Sequence, residues 1–292
     1  MAFNFQTFKT RTLTAIIFAA VMLSGLLINQ WTFFILFSII HFGCWIEYQK
    51  LVGLIDPDYK NISPFHKYAV MLLGWMFMFW MTNRAYKIAS VELQGIGWLM
   101  MLIIAILLLG KEVVFKKQLN IKLIGYSLLG LIYISLSWGL MISIRNIGMV
   151  FKGPGTLDFG QIYPLIIILS IWINDTMAYI VGSFIGKTPL SKISPKKTWE
   201  GTIGGIILSV AVVGILAYQT NANSHERMIY LIIALIASVF GTLGDLLESK
   251  LKRMANVKDS GSIMPGHGGF LDRFDSLLIA TPMVWLFLKF FL

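Results

Sequence analysis

The stretch LTAIIFAAVMLSGLLINQWTFFILFSIIHFGCWIEY, residues 13–48, contains no Asp, Glu, Lys or Arg before Glu47. It is long enough for two passes through a bilayer core of about 30 Å, because each pass needs roughly 20 mostly apolar residues. Asn29 and Gln30 lie between the two passes, so the stretch predicts a tight helical hairpin in a membrane. The first helix is interpreted as an anchor rather than a signal peptide, because no small-residue cleavage site follows it.

The composition of the whole chain supports a membrane protein. The 292 residues are 57% hydrophobic and 13% charged, whereas soluble domains are about 45–50% apolar and about 25% charged. So few charges could not cover the surface of a soluble domain. Cys44 is the single cysteine, which excludes a disulfide framework and a cysteine metal cluster. The net charge of +10 is explained by membrane topology, and no nucleic-acid partner is expected.

The hydropathy pattern predicts an all-α polytopic membrane protein with about nine transmembrane helices and a cytoplasmic N-terminus. The candidate spans are about 13–29, 31–48, 68–83, 95–110, 121–144, 162–185, 202–219, 228–250 and 270–291. This path places 18 of the 24 Lys and Arg residues on the N-terminal side of the membrane, as the positive-inside rule expects. The loops at about 186–201 and 251–269 then open to the cytoplasm.

Acidic residues concentrate near the C-terminus. Asp245 lies near the inner end of the eighth span, with Glu248 and Ser249 on the same helix face. Asp272 and Asp275 are three residues apart at the start of the ninth span. Such carboxylates suit Mg²⁺, which takes one or two protein carboxylates and completes its shell with water and phosphate. Alternatively, these acids cap a helix start or pair with neighbouring basic residues, which are Lys252, Arg253 and Arg273.

Asn174 and Asp175 lie in the middle of the sixth span. A carboxylate at the centre of a membrane costs roughly 2.5–3.5 kcal/mol on insertion scales, so such residues usually face a partner or a wet cavity. A structural hydrogen-bond network between helices is the alternative interpretation.

Two polar loops have features of phosphate sites. The loop KRMANVKDSGSIMPGHGG, residues 252–269, combines glycines with Lys258. His267 in this loop is either a proton donor or phosphate contact, or a structural residue of the turn. In the loop GKTPLSKISPKKTWEG, residues 186–201, Ser194 and Pro195 are predicted to begin a helix. Lys196 and Lys197 would then lie in its first turn, which favours a bound anion, with positive-inside bias as the alternative.

Residues 249–275, SKLKRMANVKDSGSIMPGHGGFLDRFD, resemble the signature of the phosphatidate cytidylyltransferases, also called CDP-diacylglycerol synthases. The matching positions are Ser249, Lys252-Arg253, Lys258-Asp259, Pro265, His267-Gly268-Gly269, Asp272-Arg273 and Asp275. Met264 departs conservatively, where Leu, Ile or Phe is expected. The blocks NDTMAY (174–179) and SPKKTWEG (194–201) also resemble family segments, so the resemblance covers about 170–292.

The resemblance implies a reaction of CTP with phosphatidate that gives CDP-diacylglycerol and pyrophosphate, for phospholipid biosynthesis, with Mg²⁺ and with a second cation left open. It implies Asp245 and Asp272 as metal ligands, with Asp275 nearby. The other positions to which it assigns catalytic roles are Lys258, Asp259, Arg273 and His267. The implied substrate-binding residues are Asn174, Asp175, Lys196, Lys197, Ser249, Lys252, Arg253, Gly268 and Gly269. Residues 161–292 are accordingly predicted to be the catalytic region, after an N-terminal transmembrane region at 1–160.

Two other functions stay open. An ion-coupled transporter would use Asp175 and Asp245 as coupling-ion sites, although no internal repeat relates the halves of the sequence. A CTP-dependent lipid kinase would need similar metal and phosphate chemistry. The favoured cytidylyltransferase is expected in a bacterial inner membrane, with its active site facing the cytoplasm. Its expected partners are CTP, phosphatidate and membrane lipid, and a homodimer is left open.

Overall fold

A computed structural model describes residues 5–115, 121–152, 155–263 and 268–292. Its helices are α1 (Phe5–Leu27), α2 (Gln30–Ile55), α3 (Pro64–Trp80), α4 (Leu93–Phe115), α5 (Ile121–Gly130), α6 (Leu136–Ile147), α7 (Ile162–Ile185), α8 (Trp199–Gln219), α9 (Ser224–Met254) and α10 (Leu271–Phe291). A 3₁₀ turn (Pro57–Asn61) follows α2, and a π-helical turn (Leu131–Ser135) joins α5 to α6. Two short antiparallel hairpins are formed by β1 (Lys87–Ile88) with β2 (Val91–Glu92) and by β3 (Met149–Lys152) with β4 (Gly155–Asp158).

The nearly all-α fold and the membrane class are confirmed. In the described part of the chain, seven helical stretches are long and apolar enough to cross a membrane, namely Gln30–Ile55, Leu93–Lys111, Ile121–Ile147, Ile162–Ile185, Trp199–Gln219, Ser224–Met254 and Leu271–Phe291. The apolar part of α1, Thr12–Leu27, is shorter, and α3 has 17 residues. Each of the nine predicted segments falls in these helices, but nine crossings and the cytoplasmic N-terminus stay predictions.

The chain forms two compact units. The first comprises Met1–Asn146 and Met254–Arg273, and the second comprises Ile147–Arg253 and Phe274–Leu292. The segment that carries most of the glycine-rich loop therefore folds with the N-terminal helices, although it is distant from them in sequence. The functional division into 1–160 and 161–292 stays a prediction.

In the first unit, the predicted hairpin of α1 and α2 is confirmed. Asn29 caps α2, because its Oδ1 accepts hydrogen bonds from the backbone N–H of Trp31 (2.8 Å) and of Thr32 (2.9 Å). The Thr32 hydroxyl in turn accepts from the Asn29 N–H at 3.2 Å, which completes a capping box. Gly25 of α1 has no side chain to obstruct Leu36 of α2, so the two helices approach closely.

The middle of α2 is fixed in the same unit by buried polar contacts. Ser135, in the π-helical turn, accepts a hydrogen bond from Trp45 Nε1 at 2.9 Å, and its hydroxyl lies 3.0 Å from His41 Nε2. Trp45 and His41 are both fully buried. These bonds satisfy polar atoms that an apolar surrounding would otherwise penalise, and they hold the part of α2 that precedes Glu47.

In the second unit, α7 and α8 pack closely through small residues. Gly201 and Gly205 of α8 face the backbone of Ala178 and Asn174 on α7, where a Cβ atom would collide. The buried hydroxyl of Ser209 also donates to the Ser170 carbonyl at 2.9 Å. Small residues and interhelical hydrogen bonds are typical of helix packing in membranes.

Candidate active site

In the loop before α8, residues 194–197 form a turn rather than the first turn of a helix. The Lys197 N–H donates to the Ser194 carbonyl at 3.1 Å, and α8 begins at Trp199 with Thr198 as its N-cap. The prediction that Ser194 and Pro195 begin a helix is therefore wrong. Proline suits the second position of a tight turn as well as the first position of a helix, and the sequence alone did not separate the two.

Glu200 stabilises this loop through hydrogen bonds. Its carboxylate accepts hydrogen bonds from the backbone N–H groups of Lys187 and Thr188 (both 3.2 Å) and from the Thr188 hydroxyl (2.8 Å). Because Glu200 lies in the first turn of α8, its negative charge is also favourable at the helix N-terminus. The carboxylate thus fixes both ends of the segment that carries Lys196 and Lys197.

The second unit brings Lys197 and Asp245 together. The Lys197 ammonium forms an ion pair with the Asp245 carboxylate on α9, and the Ser249 hydroxyl donates to Asp245 Oδ1 at 3.2 Å. The predicted shared face of Asp245 and Ser249 is therefore present. Both partners of the ion pair stay partly exposed, at 29% and 28% of the side chain, so a ligand can reach them. Lys196, the preceding residue, is exposed, whereas Lys197 is partly buried.

Asp275 adds a second carboxylate to this cluster. It is 8% exposed, and it interacts electrostatically with Asp245, Asp175 and Lys197. The Asp275 backbone packs against Gly244 of α9, and this contact is possible because Gly244 has no side chain. Asp275 therefore places a second carboxyl group near the Lys197–Asp245 ion pair.

Asn174 is buried beside this cluster, at 2% exposure. Its Nδ2 donates to the Thr242 hydroxyl of α9 at 3.3 Å, and Thr242 donates to the Ser238 carbonyl at 3.0 Å. These bonds form an interhelical network through Asn174, whereas the sequence left such a network open as the alternative for Asp175. Asp175, the next residue, is exposed on α7.

Glu248 is paired with a basic residue of its own helix. It is fully buried, and its carboxylate forms an i,i+4 ion pair with Lys252. The alternative in which an acid of this region pairs with a neighbouring basic residue is therefore correct for Glu248. The prediction that Lys252 contacts substrate stays a prediction.

In the first unit, Asp272 organises the glycine-rich loop. Its Oδ2 accepts hydrogen bonds from the Ser260 N–H (2.9 Å), the Ser260 hydroxyl (2.9 Å) and the Gly269 N–H (2.8 Å). Gly268 has a positive φ of 83°, a conformation that favours glycine. The Asp272 carboxylate therefore ties both sides of the loop to the start of α10.

Glu47 of α2 holds the same loop from the other side. Its Oε2 accepts from the Ser260 hydroxyl (2.7 Å) and the Leu271 N–H (2.9 Å), and its Oε1 accepts from the Phe270 N–H (2.9 Å). The residue is 7% exposed, and Gly269 packs directly against its carboxylate. Glu47 thus satisfies N–H groups at the beginning of α10 that no helical partner can satisfy.

The remaining signature residues are more exposed. Lys258, Asp259, Arg253 and Arg273 all lie at the surface of the described chain. His267 lies outside the described residues, as do Met264 and Pro265. The predicted roles of these residues stay predictions.

The donor chemistry of the second unit fits a divalent cation. Among the described residues, no group of three or more His, Cys, Asp and Glu is arranged to hold a metal ion. Mg²⁺ does not need such a cage, because it is usually bound through one or two carboxylates plus substrate phosphate. Asp245 and Asp275 provide two carboxyl groups that interact with each other. The Oδ2 atom of Asp272 accepts hydrogen bonds from Ser260 and Gly269 of the glycine-rich loop.

Residues 9–291 match the family model described as the cytidylyltransferase family. The chain belongs to this family. The match covers nearly the whole sequence, including the N-terminal helices, so it extends beyond residues 170–292, which the sequence resemblance covered.

Named relatives agree with the family model. The phosphatidate cytidylyltransferase of Bacillus subtilis (strain 168) is 39% identical over 224 residues, which cover 76% of this chain and 77% of the relative. The phosphatidate cytidylyltransferase of Staphylococcus saprophyticus is 32% identical over 277 residues, or 94% of this chain and 97% of the relative. The Staphylococcus aureus (strain COL) enzyme of that name is 44% identical over 146 residues, 49% of this chain and 56% of the relative.

Sequence reasoning did not identify Glu47, which holds the glycine-rich loop, or Glu200, which holds the loop before α8. A signal was present for Glu47, since it is the first charge after a long apolar run, and a carboxylate in a span is expected to have a partner. Its partners could not be identified, because Ser260 lies 213 residues away. Thr198 is a recognisable N-cap two residues before Glu200. Because the helix was predicted to begin at Ser194, Glu200 was not identified as a residue of its first turn.

Proposed function

We propose that this chain transfers the cytidylyl group of CTP to phosphatidate and gives CDP-diacylglycerol and pyrophosphate. The observation that carries the proposal is the cluster of Asp245, Asp275 and Lys197 in one unit of a chain whose relatives are named phosphatidate cytidylyltransferases. Carboxylates and a lysine at a helix end suit a reaction between two phosphate compounds, which needs positioning and charge neutralisation.

The reaction forms one bond and breaks one. A phosphate oxygen of phosphatidate attacks the α-phosphorus of CTP, and the bond from that phosphorus to the oxygen that bridges to the β-phosphate breaks. Pyrophosphate leaves with that oxygen. The attacking oxygen is already anionic near neutral pH, because the second pKa of a phosphate monoester is about 6. No strong general base is therefore required of the protein.

Lys197 is the residue of the second unit that is best placed to bind phosphate. Its ammonium pairs with Asp245. In the proposed complex it exchanges this partner for a phosphate oxygen, and Ser249 keeps its hydrogen bond to Asp245. Glu200 limits the movement of the loop, since it holds Lys187 and Thr188.

We propose that Asp245 and Asp275 hold Mg²⁺. When bound there, the ion would neutralise charge on the triphosphate and on the departing pyrophosphate. The prediction that Asp272 is a further ligand is retained as part of the proposal, and so is the assignment of Lys258, Asp259 and Arg273 to the reaction.

The proposal includes nine crossings of a bacterial inner membrane, with the N-terminus and the active site on the cytoplasmic side. The distribution of Lys and Arg supports this orientation, and α1 and α3 would supply the two crossings beyond the seven long apolar stretches. A homodimer is the proposed assembly, to be tested by cross-linking in the membrane.

Labelled CTP tests the transfer. Purified chain in detergent, with phosphatidate and Mg²⁺, would receive CTP labelled at either the α- or the γ-phosphate. Label that enters lipid from the α position alone, with release of pyrophosphate, supports the proposal. Label from the γ position would indicate a lipid kinase instead. No transfer from either position in a folded preparation would contradict both enzymes and favour a transporter.

A further inference from the structure

A groove lined by three lysines lies where α2 ends and the 3₁₀ turn leads into α3. It has a volume of about 360 Å³, and its lining includes Lys50, Lys60 and Lys67. The other lining residues are Gln49, Gly53 and Leu54. All six residues belong to the first unit, and neither the proposed reaction nor the signature segment includes any of them.

Among the residues that the structure describes, no carboxylate forms an ion pair with a lysine of this groove. The lining of the groove contains no Asp or Glu. Other lysines of the described chain do have such partners, for example Lys87 with Glu92 and Lys122 with Asp56. Three like charges around one cavity repel each other, so an anion in the groove would lower the energy.

The groove is held by contacts between its own residues. The Lys67 ammonium donates to the Lys60 carbonyl at 2.9 Å, and the Gln49 amide donates to the Lys67 carbonyl at 3.0 Å. The alkyl chain of Lys60 lies over Gly53, where a Cβ atom would come within 3.0 Å of it. These contacts hold the walls of the groove in place, and a site held in this way loses less conformational freedom on binding.

The surroundings of the groove are amphipathic. Leu54, an apolar residue of its lining, is 41% exposed. A second cavity of about 190 Å³ shares Lys50 and Leu54 with the groove and reaches the signature residues Asp259–Ser262. Basic residues beside exposed apolar ones are typical of sites for anionic head groups at a membrane surface.

We propose that this groove binds the phosphate group of an anionic membrane phospholipid. The lysines neutralise the phosphate, and the exposed side chain of Leu54 contacts the lipid body. The site does not depend on the proposed transfer reaction, because binding can be measured without CTP. Positive-inside bias would also place lysines here, but it requires neither a shared cavity nor specificity for phosphate.

A photoactivatable phosphatidate tests the proposal on the full chain in lipid nanodiscs. Cross-links would be mapped by mass spectrometry in wild type and in the groove variant Lys50→Gln/Lys60→Gln/Lys67→Gln. The matched control is Lys187→Gln/Lys192→Gln/Lys250→Gln, which removes three exposed lysines elsewhere. Labelling of residues 49–68 should fall about tenfold or more in the groove variant and stay near wild type in the control. Circular dichroism and size-exclusion profiles establish that each variant is folded.

The other outcomes are also decisive. Competition by inorganic phosphate or CTP, with no competition by unlabelled phosphatidate, would retain a phosphate site but overturn the lipid as its source. Equal labelling by a photoactivatable phosphatidylcholine, equal loss in the control variant, or no label on residues 49–68 would each overturn the site. Transfer from labelled CTP is measured separately on the same preparations. A failure of lipid binding at the groove can therefore be distinguished from a failure of the proposed reaction.

Discussion

The Glu47 carboxylate accepts a hydrogen bond from the Ser260 hydroxyl at 2.7 Å across 213 residues of sequence. The same hydroxyl lies 2.9 Å from Asp272 Oδ2. A serine hydroxyl has one hydrogen to donate, so two buried or half-buried carboxylates share it. This relationship attaches the glycine-rich loop to α2, a helix that the family signature does not include.

Replacement of Glu47 by Gln should loosen this loop. The amide would place an N–H₂ group against a hydroxyl or N–H donor, and each buried hydrogen bond to a charged group contributes about 1.5–3 kcal/mol. We expect cytidylyl transfer to fall about tenfold or more. Hydrogen exchange at Ser260, Phe270 and Leu271 should accelerate.

Glu92→Gln is the matched control for Glu47→Gln. Glu92 is 40% exposed and pairs with Lys87, and such surface pairs contribute only about 0–1 kcal/mol. Its transfer rate and its exchange pattern in the loop should equal those of wild type. Wild-type exchange and activity in Glu47→Gln would show that the carboxylate does not hold the loop.

Asp272→Asn and Asp275→Asn should both remove most transfer activity, but for separable reasons. Asp272 ties Ser260 and Gly269 to α10, so its replacement should also accelerate exchange in the loop. Asp275→Asn removes one of the carboxylates proposed to hold Mg²⁺ and should raise the Mg²⁺ concentration for half-maximal rate. Substantial activity of Asp272→Asn would exclude it as an essential metal ligand, and an unchanged Mg²⁺ requirement of Asp275→Asn would exclude Asp275.

Lys197→Ala should affect CTP saturation more strongly than Lys196→Ala. Lys197 is paired with Asp245, whereas Lys196 is exposed in the turn. Loss of the paired lysine removes the proposed phosphate contact and leaves Asp245 without its partner in the ion pair. We expect the KM for CTP to rise about tenfold for Lys197→Ala, equivalent to about 1.4 kcal/mol, and less than threefold for Lys196→Ala. Equal, small effects would mean that both lysines serve membrane topology only.

Helix positions were largely predictable because a bilayer imposes a length and an apolar composition on each span. Asp245 and Ser249 were predictable as one face for a similar reason, since helical spacing determines it. The pairing of Lys197 with Asp245 was not predictable, because it joins a loop to a helix 48 residues later. Ser194 was misassigned because a proline after a serine is compatible with both a turn and a helix start.

Acid should weaken the link between α2 and α5. The Lys122 ammonium, 2.7 Å from Asp56, lowers the pKa of that carboxyl through a hydrogen bond. A carboxyl with a lowered folded-state pKa stabilises the fold above its unfolded pKa of about 3.9, and this contribution is lost as the pH falls through the folded value. The melting temperature should therefore fall less steeply below about pH 4 in Asp56→Asn than in wild type. Asp58→Asn, an exposed neighbour, should keep the wild-type slope, and identical slopes for all three would contradict the prediction.

Gly244→Ala should disrupt the cluster of the second unit without removing any charged group. A Cβ atom at Gly244 would lie 3.0 Å from the Ser276 Cα and closer still to the Asp275 carbonyl, and backbone atoms cannot rotate away as a side chain can. Overpacking of this kind typically costs about 1–3 kcal/mol, so we expect a lower melting temperature and a large loss of transfer. Gly125→Ala is the matched control, because a Cβ there meets no atom within 4 Å and alanine in a helix is favoured over glycine by about 0.5–1 kcal/mol. If Gly244→Ala retained wild-type activity and stability, the close approach of α9 to the start of α10 would not be required for the reaction.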